Sequence, residues 1–82
     1  MKKEKIIEII NNFLIEDIEI EEHKITGNAL LKNDLGIDSL DFVDIVVIVE
    51  RNFGIKIIPE EMASISTLNE FYDYIESKLT DN

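Results

Sequence analysis

No cysteine and no tryptophan occur among the 82 residues, and there is one histidine and one proline. Without cysteine there are no disulfide staples, no thiolate metal sites and no cysteine nucleophile. A single histidine, His23, leaves any Ser–His–Asp arrangement hanging on one residue and excludes a multi-histidine metal site. Positive charge is also scarce: eight Lys and Arg stand against eighteen Asp and Glu, a formal charge of −10. That excess repels nucleic-acid phosphates and anionic lipid, so neither is expected as a ligand, and basic proteins are the expected partners. Long apolar runs are missing too. The stretch after Lys2, Lys3 and Lys5 is broken at Glu8, Asn11 and Asn12, with no small-residue cleavage site after it. No window reaches the roughly 20 apolar residues of a membrane span. The expectation is a cytoplasmic protein.

What is present suffices for one small core. The apolar fraction is 45%, too high for a disordered chain despite the charge. The length suits one domain, residues 1–82, and is too short for two. No repeat or low-complexity linker appears, and Pro59 does not divide the chain.

Four helical stretches can be placed. The first runs from about Lys3 to Ile15, with Ile6, Ile10, Phe13 and Leu14 on one stripe. The second runs from about Ser39 to Phe53, with Asp38 as N-cap, Asp41 in the first turn and Gly54 at the left-handed stop. A short third helix opens at Pro59, followed by Glu60 and Glu61 at its positive end. The fourth is introduced by the capping box Thr67–Glu70 and carries Leu68, Phe71, Ile75 and Leu79. The run from Phe42 to Glu50 is rich in β-branched residues and competes as a buried strand. Its cap, its stop and its length favour a helix. A strand there would also lack a partner, because Ile18–Glu21 alternates but is short and very acidic.

Projected as a helix, the second stretch gathers Phe42, Ile45, Val46, Val49 and Phe53 on the side assigned to the core. Leu40, Val47 and Ile48 fall opposite, among Asp41, Asp44 and Arg51. Apolar residues inside an acidic rim are expected of a docking surface; the competing expectation is that the long segment 16–37 covers them. Between residues 34 and 50 there are five acids (Asp34, Asp38, Asp41, Asp44, Glu50) and no base. At the head of this region stands DLGIDSL, in which Gly36 turns the chain, Asp38 caps and Ser39 takes the first helical position. A hydroxyl there sits beside unpaired backbone N–H groups and the positive end of the helix dipole, which favours an attached phosphate. Local chemistry leaves two readings open: a site for an anionic modification, or a serine that only starts a helix.

The string DLGIDSLDFVDIV resembles the phosphopantetheine attachment motif of the acyl carrier proteins, and the resemblance extends across nearly the whole chain, as far as STLNEFYDYI. It implies an all-α, four-helix bundle with a long first loop and a short third helix. Ser39 then matches the serine that receives 4′-phosphopantetheine from coenzyme A as a phosphodiester. Asp38 matches the acidic neighbour that helps hold the metal ion in the complex with the phosphopantetheinyl transferase. The implied protein is a monomer and not an enzyme: it has no catalytic residues or metal site of its own. It holds acyl intermediates as thioesters for fatty-acid, polyketide or related biosynthesis. The implied partners are acyl-transfer, ligase or synthase enzymes with basic patches. They would meet Asp34, Asp38, Asp41, Asp44 and Glu50 by charge and Leu40, Val47 and Ile48 by apolar contact.

Three features depart from the fatty-acid type. Arg51 ends the acidic run, Phe42 is bulkier than usual, and the segment between Pro59 and Thr67 is short. The alternative from another class is an unmodified acidic interaction module that keeps the fold without the arm. Other chemistries fail on spacing. An EF-hand with Gly36 at its sixth position would need ligands where Leu31, Leu35 and Phe42 stand. No glycine stands two residues after Ser39, as a hydrolase elbow requires. His23, beside Glu21 and Glu22, is expected to be a solvated loop residue.

Overall fold

The computed structural model describes residues 2–80. Helix α1 spans Lys3–Glu16, α2 Ser39–Phe53, α3 Pro59–Met62 and α4 Leu68–Thr80. The contested run from Phe42 to Glu50 is helical, inside α2, so the cap and stop outweigh β-branching. Gly54 ends α2 in the left-handed conformation at φ 68, its N–H donating to the Glu50 carbonyl at 3.0 Å.

Each long helix buries the stripe that its spacing sets. Ile6, Ile10, Phe13 and Leu14 come from α1, Ile45, Val49 and Phe53 from α2, and Leu68, Phe71, Tyr72 and Ile75 from α4. Full burial of one such side chain stabilises the fold by about 1.5–3 kcal/mol, so these stripes fix how the helices face one another. Helices α1 and α4 are also joined by the Tyr72 hydroxyl donating to Asn11 and by Lys3 pairing with Asp73.

The long connection 17–38 is part of the core. Ile20, Ala29, Leu31, Leu35 and Ile37 are all buried, which explains its length without a helix of its own. Glu19 adopts φ 65, turning the chain so that the Ile20 N–H reaches the Leu14 carbonyl at 2.9 Å and Ile20 buries itself. This conformation disposes of the Ile18–Glu21 strand. A single 3₁₀ turn follows at Glu22–Lys24. The connection then runs against the start of α4: Leu30 bridges Thr67, and the Ala29 and Gly27 carbonyls accept from the Leu68 and Asn69 N–H groups at 3.0 and 2.9 Å. The loop is thereby stitched down at its far end, just before the turn that leads into α2.

Candidate functional site

The turn before α2 is built by local bonds. Asp34 Oδ2 accepts from the Leu30 N–H at 2.8 Å, and Gly36, at φ 71, supplies the left-handed step that brings Ile37 back to the Leu31 carbonyl at 3.0 Å. Leu35 and Ile37 point inward and anchor the turn. Asp38 then caps α2, its carboxylate accepting from the Asp41 N–H at 2.9 Å while Asp41 accepts from the Asp38 N–H at 3.2 Å. The reciprocal cap sets the direction in which the helix starts.

Ser39 is the first residue of α2, and its side chain is exposed. Among the described residues the N–H groups of Ser39 and Leu40 meet no protein acceptor. An exposed hydroxyl, two free donors and the positive end of a fifteen-residue helix dipole therefore converge at one point. That environment fits a phosphodiester on Ser39: an anion there would meet backbone donors at an exposed position. Beneath the turn, Ile37 and Phe42 contribute to an apolar interior void, completed by Leu14, Leu31, Ile45, Met62, Leu68 and Phe71. Its free volume is about 10 Å³, enough for at most one water-sized sphere. In this structure the bulky Phe42 helps to keep the bundle closed.

The acids and apolar residues expected to form one docking face divide into groups. Leu40 is 77% exposed and Val47 49%, while Asp38 and Asp44 are exposed and Asp41 is half-buried. Val43, which the helical projection assigned to neither side, joins them at 61% exposure. Its place three residues after Leu40 and four before Val47 is the spacing that could have found it. Ile48 does not belong to this stripe: it is half-buried and packed against the core. With Asp17 and Ile18 it lines a surface hollow shared by Asp44, Val47, Arg51 and Asn52, so the start of the connection lies beside it. Glu50 is half-buried as well, and Oε2 accepts from the Ile57 N–H at 2.9 Å. This carboxylate ties down the chain after α2. Asp34, though exposed, is similarly engaged in its own turn.

His23 is exposed, 3.3 Å from the Glu21 carboxylate. No cluster of three or more His, Asp or Glu able to hold a metal occurs among the described residues. Nor is any helix among them long and apolar enough to cross a membrane.

A family profile described as "Phosphopantetheine attachment site" matches residues 6–75. An acyl carrier protein of Coprothermobacter proteolyticus is 40% identical over 79 residues, covering 96% of each chain. One from Thermotoga maritima is 38% identical over 77 residues, covering 94% of this chain and 95% of that one. A crystal structure of an acyl carrier protein from Thermotoga maritima superposes with a TM-score of 0.84 at 26% identity, covering 99% of this chain and 94% of the other.

Proposed function

The chain belongs to the acyl carrier protein family, defined by its phosphopantetheine attachment site, and from that premise we propose that Ser39 is the attachment residue. Members of this family are non-catalytic carriers, and the protein carries acyl intermediates through a phosphopantetheine arm. The arm supplies a terminal thiol that forms the thioester. With no cysteine in the sequence, no second thiol competes for the acyl group. The observation that carries the assignment is the exposed Ser39 hydroxyl at the first position of α2, inside the matched range, beside two unpartnered N–H groups.

The roles of the neighbouring residues follow from their placement. Asp38 holds the helix start in register and, being exposed, is open to the metal ion of a phosphopantetheinyl transferase. Leu40, Val43 and Val47 form the apolar stripe for acyl-transfer, ligase or synthase enzymes. Asp38, Asp41 and Asp44 flank that stripe and attract basic patches, which raises the encounter rate more than the final affinity. Ile48 and Glu50 serve chiefly to hold the fold behind it. The carrier works as a cytoplasmic monomer whose partners engage it transiently, as a shuttle requires.

The test is direct. Apo protein incubated with coenzyme A, magnesium and a broad-specificity transferase gains the mass of one phosphopantetheine, and Ser39→Ala gains none while keeping its helical circular dichroism. Absence of mass gain in the wild type with several transferases would overturn the assignment and favour an unmodified interaction module.

A further inference from the structure

All four helices, together with Leu31 and Ile37 of the long connection, line the void under Ser39, and the helices are not held equally. Helices α1, α2 and α4 each run for 13–15 residues and bury three or four side chains. Helix α3 has four residues and one buried side chain, Met62, which lines the void together with Phe42 and Phe71. A helix of one turn does not sustain itself in water, so α3 must be held from outside.

The hold comes from α4 and lies outside the void. The Tyr74 hydroxyl accepts from the Ile58 N–H at 3.3 Å, at the N-cap of α3. The same hydroxyl donates to Glu61 Oε1 at 2.7 Å, and Lys78 Nζ reaches that oxygen at 3.0 Å. The Lys78 ammonium also lies 5.5 Å from the centre of the Tyr74 ring. One hydroxyl thus grips both ends of α3. The titration of the two groups agrees with this geometry. The Tyr74 hydrogen bond, then Lys78, holds Glu61 below its ordinary value, while burial, then Glu61, raises Tyr74, keeping the proton on the phenol.

We propose that Tyr74, Glu61 and Lys78 form a latch that closes α3 over the void and thereby limits the size of the acyl group the bundle admits. The acyl half of this proposal rests on the carrier reading of Ser39; the latch itself does not. Outward movement of Met62 would widen the void, and of the four helices that line it α3 has the least burial to lose. Methionine suits this position because its unbranched side chain repacks readily.

Amide hydrogen exchange on apo protein tests the latch first. Tyr74→Phe keeps the ring but removes both hydrogen bonds, and the Met62 and Ala63 amides, which donate to the Ile58 and Pro59 carbonyls, should exchange about tenfold faster. The Ile10 and Ile75 amides should not change. Glu61→Gln keeps an acceptor for Tyr74 but loses the charge facing Lys78, and should give a smaller acceleration of the same two amides. Unchanged α3 exchange in both variants overturns the latch. Straight-chain acyl groups of increasing length, loaded on Ser39, then test the gate through the Met62, Ile45 and Leu68 methyl signals. The longest chain that shifts them should be greater in Tyr74→Phe than in wild type, and equal lengths overturn the gate. Failure of Ser39 to accept the arm is visible in the mass spectrum beforehand; it overturns the carrier reading and the gate with it, whereas the exchange result still decides the latch.

Discussion

Helices α2 and α4 both begin with a reciprocal cap, Asp38 with Asp41 and Thr67 with Glu70, but the chain around the two ends differs. At α4 the next two N–H groups, of Leu68 and Asn69, are taken by the Ala29 and Gly27 carbonyls. At α2 the corresponding groups, of Ser39 and Leu40, meet no acceptor among the described residues. The side chains follow suit: Leu68 is fully buried, whereas Leu40 is 77% exposed. The same local device therefore closes one helix end and leaves the other open. A cap alone does not make a site; what matters is whether another part of the chain has docked on the helix end.

The sharpest way to break this comparison is to truncate the two leucines. Leu68→Ala should lower the unfolding free energy by about 2–5 kcal/mol, because a buried leucine leaves a cavity. Leu40→Ala should change it by less than about 0.5 kcal/mol, yet slow modification by the transferase. Equal losses in urea denaturation would mean that the α2 end is also closed. Removing the caps comes next. Thr67→Ala and Asp38→Ala should each cost about 0.5–2 kcal/mol, but only Asp38→Ala should also impair the transfer reaction. Steady-state kinetics beside the melts would separate the two effects.

A smaller effect separates the outer face of α2 from its base. Asp44→Lys should slow loading at low ionic strength and flatten its salt dependence, since Asp44 is exposed and no hydrogen bond engages it among the described residues. An unchanged rate at low and high salt would remove Asp44 from the interface. The smallest effect concerns acid. Backbone N–H groups of Thr67 and Ser66 hold the Glu70 carboxyl below its ordinary value of 4.5. A depressed folded value means that its stabilisation is complete above 4.5 and is lost as pH falls through the lowered value. Glu70→Gln should therefore flatten the acid limb of a stability–pH curve by slightly lowering the neutral plateau, leaving stability at the acid end nearly unchanged.

The legible features were those that close within a few residues. Asp38, Gly54 and the Thr67–Glu70 box mark helix boundaries through bonds made locally, Pro59 marks one through its fixed backbone angle, and all four appear where their spacing put them. The resemblance carried the four-helix fold in the same way, because motif and helix order lie along the chain. Side-chain direction was harder to read. Ile48, expected on the outer face, is half-buried against the core and lines a surface hollow with Asp17 and Ile18, residues about thirty positions earlier. Glu50, expected to steer partners, is half-buried, and its Oε2 also accepts from the Ile57 N–H. Val43 was expected nowhere, and it lies in the middle of the exposed stripe.

Sequence by itself determined where the helices begin and end, which serine stands at the open end of α2, and that the chain could not do cysteine or multi-histidine chemistry. Capping, glycine turns and composition are local, so they survive without knowledge of neighbours. Tertiary structure alone decided which acids remain free, that the long connection is core, and that Tyr74 reaches back to grip α3. Those outcomes depend on which surfaces pack together, and packing is settled by the summed burial of side chains far apart in the chain.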